Sequence, residues 1–162
     1  MADGEQVINA FSVWQGRGLV VQTAEKKAVI TGAFGGVLYV ETSEGPVDTG
    51  NIACPVLINV DLETGQQRGL GACTFTAYDG ALVFSEWECT GIALIGCRGK
   101  FKLAGGTGRL AGAAGSGSIL FRGRFHEFAK HPGDLVSDSA TGIAVWRDLK
   151  IAIKQPADAP KR

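Results

Sequence analysis

What this chain has little of narrows its chemistry. Of its 162 residues two are histidine, and the 16 Lys and Arg are matched by 16 Asp and Glu. His126 follows Arg122 and Arg124 on an alternating face and His131 precedes Pro132, so both read as solvated side chains and not as members of a triad. The balanced charge gives no global electrostatic basis for gripping a phosphate backbone, and nucleic acid is not an expected partner. No apolar run approaches the ~20 residues of a spanning helix, so no membrane partner is expected. Met1 to Gln6 is polar, and the segment from Val7 is too interrupted for a secretory leader, which makes a cytoplasmic home the expectation. The four cysteines, Cys54, Cys73, Cys89 and Cys97, form no Cys-x-x-Cys pair, and neither a metal nor a cofactor is expected. In the cytosol they are small buried hydrophobes; in an exported form Cys89 and Cys97, flanking a short loop, are the pair expected to bridge.

What the chain does have is glycine in a telling arrangement. Gly105, Gly106, Gly108, Gly112, Gly115 and Gly117 fall between two alternating stretches, where residues without a Cβ suit a barrel corner. The run loosely resembles a dinucleotide loop, but its third glycine is displaced to Gly112 and no long helix follows, so nucleotide binding is not expected. Gly115-Ser116-Gly117 likewise lacks the strand-to-helix context of a hydrolase elbow. Asp134 and Asp138, near Ser137 and Ser139, read as an acidic loop and not as a cation site.

Strand-like segments cover Val7–Trp14, Gly18–Thr23, Lys27–Ala33, Val37–Thr42, Cys54–Asp61, Arg68–Tyr78, Ala81–Cys89, Cys97–Leu103, Ser118–Phe128 and Ala140–Ile153, some of which must merge. Turn signals at Gly35-Gly36, Glu44-Gly45-Pro46, Thr64-Gly65, Asp79-Gly80 and Pro132-Gly133-Asp134 are spaced for antiparallel strands. Residues 1–154 therefore form a single all-β domain with short helices or none, followed by a disordered tail at 155–162. Alternation assigns faces: Arg98, Lys100 and Lys102 outward opposite Glu86 and Glu88, with Val83, Ser85, Trp87, Cys89, Phe101 and Leu103 inward. Ile119, Phe121 and Phe125 point inward, and Arg122, Arg124 and His126 outward. Leu82 and Phe84 are left outside, as is a second apolar set, Leu149, Ile151 and Ile153. Such stripes predict a homo-oligomer.

Phe101, the run from Gly105 to Gly112 and the closing Gly115-Ser116-Gly117 resemble the glycine signature of the allene oxide cyclase and dirigent-like barrels. That resemblance covers about a fifth of the chain directly. It implies a closed antiparallel eight-stranded β-barrel with an apolar lumen and, for the homo-oligomer, a dimer or trimer.

The lumen is where function is sought. Phe75, Trp87, Phe101 and Phe121 are expected as an apolar wall that binds a hydrophobic small molecule. Tyr39 and Glu41 share one strand face, and Asn59 is expected to point into the same space. A phenol and a carboxylate beside an apolar cavity would orient a substrate or move a proton, so these three are the candidate catalytic residues. The resemblance then implies a cofactor-free cyclase or isomerase that works by restricting geometry and excluding water. The alternative is a binding barrel of the dirigent kind that guides stereochemistry without bond chemistry of its own. A carboxylate or phenol in the lumen favours the first reading, and a purely apolar lumen the second.

Overall fold

The structure, a computed structural model, describes residues 5–93, 95–125 and 136–153. The turn signal at Pro132-Gly133-Asp134, both histidines and the tail from 155 lie outside these residues, as do the side chains of Arg124, Phe125, Ser137, Asp138 and Ser139. Eight strands run β1 Gln6–Ala24, β2 Lys27–Thr42, β3 Gly45–Asp61, β4 Gln66–Ala77, β5 Leu82–Ile92, β6 Gly96–Gly106, β7 Ala114–Phe125 and β8 Val136–Ala152. Each pairs antiparallel with the next, and β1 pairs with β8 to close the barrel. Closure leaves no unpaired sheet edge, which is how an all-β chain with this much apolar surface avoids edge-to-edge association.

Ten expected segments resolve into eight because two glycine-rich stretches are strand interior. Gly35-Gly36 is not a turn: both residues lie within β2, opposite Gln15 and Trp14 of β1. A Cβ at Gly36 would collide with the Val13 carbonyl, so glycine here serves close strand approach and not chain reversal. The glycine run of residues 105–117 does turn the chain, but in a narrower span than expected. β6 continues to Gly106, a 3-10 turn occupies Gly108–Leu110, and Gly115 and Gly117 are already inside β7.

Alternation holds through the middle strands. Glu86 stands opposite Lys102 and Glu88 opposite Lys100 on the outer wall, while Trp87, Cys89, Phe101 and Leu103 are buried inside. In β8 the period breaks. Ala10 pairs with Trp146 but Ile8 pairs with Leu149, so Arg147 and Asp148 together oppose Asn9. Asp148 takes φ 50 and its amide donates to Asn9 Oδ1 at 2.9 Å, the pattern of a β-bulge. The extra residue shifts the phase. Leu149 is buried in the lumen with Ile151 packed beside it, which corrects the expectation that Leu149, Ile151 and Ile153 form an outer stripe.

Two disulfides join neighbouring strands inside the barrel, Cys54–Cys73 across β3 and β4 and Cys89–Cys97 across β5 and β6. Cys54 and Cys73 face each other directly, with Cα atoms 4.2 Å apart. Pro55, next to Cys54, has no N–H for the ladder, and the bridge ties the strands at that point.

Candidate functional site

The barrel has two unlike halves. Toward the end carrying the β1–β2, β3–β4 and β5–β6 turns, the lumen is filled by aromatic rings. Trp14 stacks on Phe121 at 4.8 Å, and Phe34 packs on both, 5.1 Å from Trp14 and 5.0 Å from Phe121. Trp87 closes the group, stacked 6.2 Å from Phe121. The remaining void beside Trp14 is about 20 Å³. The rings fit because opposing positions carry no side chain: the Trp14 indole occupies the space where a Cβ on Gly123 or Gly142 would sit.

Toward the other end the lumen is hollow. A cavity of about 260 Å³ is bounded by Ile8, Ala10, Leu38, Val40, Phe75, Phe101, Leu103, Trp146, Leu149 and Ile151. Its size is close to the lower end of ligand pockets, about 300–1,000 Å³, which suits one ring system or a short aliphatic chain. Its polar lining residues are Thr49, Ser85 and Arg109. Two of these are committed to the fold: Thr49 Oγ1 donates to the Leu38 carbonyl at 2.8 Å and Ser85 Oγ to the Cys73 carbonyl at 3.2 Å.

The segment between β6 and β7 covers the hollow. Leu110, on the 3-10 turn, is buried against Ala77 and Ala81, with Phe75 and Val83 beside it. Gly106 permits this fold-back, since a Cβ there would strike the carbonyls of Leu110 and Leu82. Thr107 fixes the segment to β5, its amide donating to the Leu82 carbonyl at 2.9 Å and its hydroxyl accepting from the Leu82 amide at 3.0 Å. Arg109 Nε forms an ion pair with Asp79 in the β4–β5 turn. The Asp79 carboxyl is held below the usual carboxylate range by the Ala81 N–H and then by that guanidinium. Nearby Tyr78 is exposed, and the hydrogen bond to Asp48 raises its phenol above the usual value.

The expected wall residues divide between the halves: Phe75 and Phe101 line the hollow, while Trp87 and Phe121 belong to the packed group. The three candidate catalytic residues lie on the outer wall, a correction to their expected place in the lumen. In β2 the inward positions are even-numbered, Ile30, Phe34, Leu38 and Val40, so Tyr39 and Glu41 face out. Tyr39 stacks on Phe11 at 5.3 Å, and Glu41 lies 3.5 Å from Arg147 Nη1. Asn59 is exposed between inward Ile58 and Val60. Sequence reasoning missed Leu149 and Ile151 as lining residues because of the β8 bulge and Leu110 because it sits among glycines, and it assigned Trp146 no face.

A wider concavity, about 1170 Å³, lies on the outer wall and is lined in part by Glu86, Glu88, Lys100, Lys102, Ser116 and Ser118. It is open to solvent and its charges oppose one another across β5 and β6. The apolar hollow, less open to solvent, is the better candidate site. Among the described residues no cluster of metal-ligating side chains occurs, and no helix is long and apolar enough to cross a membrane.

No family model matches the sequence, and no curated protein matches it. Among solved structures the chain is similar to the pterocarpan synthase dirigent protein GePTS1, with a TM-score of 0.52 and 12% identity, over 99% of this chain and 93% of that one. At that identity the likeness is one of fold. The barrel is dirigent-like, as the glycine run implied.

Proposed function

We propose that this chain is a small-molecule-binding barrel that holds and orients an apolar ligand in the hollow, without bond chemistry of its own. The observation that carries this reading is the lining: mostly aliphatic and aromatic side chains, with Thr49, Ser85 and Arg109 its polar members and no carboxylate or phenol among the described residues. A dirigent protein as structural neighbour supports a stereochemistry-guiding role over a cyclase or isomerase. Proton-moving catalysis would need an acid or base at the ligand, and Tyr39, Glu41 and Asn59 face outward.

The test is to fill the hollow. Ala10 is buried on its wall, so Ala10→Phe puts a ring where the ligand would lie. With naphthalene as probe, binding to the wild-type chain and at least about ten-fold weaker binding to Ala10→Phe, with the β circular-dichroism signature kept, is the expected result. Equal binding by both proteins would remove the hollow from consideration.

Self-association is also proposed, with a changed surface. The outer wall of β1, β2 and β8 carries Phe11, Val13, Val37, Tyr39 and Ile143, with Val13 61% exposed. Phe84 adds a further exposed ring. Light scattering that returns a monomer at micromolar concentration would dismiss this. For location, the two disulfides support maturation in an oxidising compartment over the expected cytoplasm. Alkylation of thiols in protein taken directly from its host reads this out: four blocked cysteines support it, and four reactive ones refute it.

A further inference from the structure

The hollow is bounded by a residue with an unused donor. Trp146 is 1% exposed and lines the hollow, with Phe101 edge-on at 5.6 Å. Its indole Nε1 is buried and has no hydrogen-bond partner among the described residues. An indole N–H can only donate, and a buried donor without a partner is costly, so it needs an acceptor from elsewhere. The hydroxyls that share the hollow, on Thr49 and Ser85, donate their hydrogens to backbone carbonyls and neither accepts from Trp146, so neither is a donor left for a ligand. Arg109, the cation of the lining, is paired with Asp79.

The indoles of Trp14 and Trp87 and the hydroxyl of Ser12 are also unpartnered. The two indoles lie in the packed half, where the void of about 20 Å³ beside Trp14 has room for no more than a water, and Ser12 lines neither that void nor the hollow. Trp146 differs in lining the apolar hollow, whereas Trp87 borders the solvent-open outer concavity. In the strand order it lies on the packed side of Leu149 and Ile151, level with Ala10 of β1, which puts it toward the floor of the hollow.

We propose that the ligand is a neutral apolar molecule carrying a hydrogen-bond acceptor, a carbonyl or ether oxygen, that receives the Trp146 indole proton. Its hydrocarbon body lies against Phe101, Leu103, Leu149 and Ile151. A carboxylate is disfavoured in that position because no cation stands at the floor to offset its desolvation. The inference rests on the binding reading above and goes further by naming the ligand's polar group and the residue that reads it.

The experiment uses the full disulfide-bonded chain and two probes of nearly equal shape, 2-acetylnaphthalene and 2-isopropenylnaphthalene, which differ in C=O against C=CH₂. The quantity read is the ratio of their dissociation constants in the wild-type chain and in Trp146→Phe, so that differences in probe hydration cancel. The expected result is a preference for the ketone that falls about five- to ten-fold in Trp146→Phe. The Trp146 indole proton resonance of the wild-type chain should move downfield with the ketone and not with the hydrocarbon. If both probes bind and the ratio is the same in the two proteins, the acceptor inference is overturned while the binding reading stands. If neither probe binds the folded wild-type chain, the binding reading falls and this inference with it. Should Trp146→Phe not fold, the indole resonance decides: no ketone-specific shift overturns the proposal.

Discussion

The two halves of the lumen are built from the same alternating strands, yet one is solid and the other hollow. In the packed half four rings meet over glycines that make room for them; in the hollow half the inward positions are mostly aliphatic, and a cavity of about 260 Å³ remains among them. Barrel closure therefore fixes the container but not its contents, which depend on the summed volume of inward side chains at each level. The packed half supplies stability, and the hollow half is free to serve a ligand.

Truncation should separate the halves most sharply. Trp14→Ala opens a new void in the packed half and is expected to cost about 3–5 kcal/mol, against about 2–3 kcal/mol for Leu149→Ala, whose side chain already borders open space. Urea denaturation of both variants checks this, and equal losses would erase the distinction. Next in size is the Cys54–Cys73 bridge, next to Ile52 of the hollow's wall. Replacing both residues with serine should cost about 3 kcal/mol, measured in the same way against the wild-type chain.

Smaller effects should appear at the covering segment. Arg109→Gln removes an exposed ion pair, so stability should change by less than about 1 kcal/mol. Exchange of the Leu110, Ala111 and Ala113 amides, which close the 3-10 turn, should nevertheless quicken about three- to five-fold, while the β5–β6 ladder stays protected. Uniform exchange change throughout the barrel would show that the ion pair does not secure the covering segment locally.

Acid should touch both ends slightly. Asp61 is held below its ordinary value of 3.8 by the N–H groups of Thr64 and Glu63, and Asp79 by those of its own turn and by Arg109. Because the folded values are lowered, the stability these carboxylates contribute is fully present above pH 3.8 and is lost as the pH falls through the lowered values. Stability curves of Asp61→Asn and Asp79→Asn should therefore be flatter than wild type below about pH 4 and parallel to it near neutrality.

How much of this was legible in the sequence differs along the chain. Lys100, Lys102, Glu86 and Glu88 mark the outer face of β5 and β6 so clearly that the register there follows from alternation alone. Tyr39 and Glu41 were misplaced because β2 is apolar on both faces, with Val37 outside and Leu38 inside, and polarity gives no phase. The Cys54–Cys73 pair was readable in principle, since the two residues stand seven positions beyond either end of the Asp61–Gln66 turn. The glycine run announced a corner, but not that Leu110 would fold back over the lumen. Nothing in hydrophobic spacing announces a non-glycine residue at positive φ, so the bulge at Asp148 hid Leu149 and Ile151 from the lining.

That single extra residue has a bearing on which length changes the last strand can accept. Deleting Asp148 would leave a plain strand whose remaining residues keep the sides they now occupy. Deleting Leu149 or Lys150 instead would turn Ile151 and Ile153 toward water and bring Ala152 inside, everting the lining with one codon lost. Natural variants of this barrel that keep the hollow should thus tolerate loss at one position of β8 and resist it at the next two.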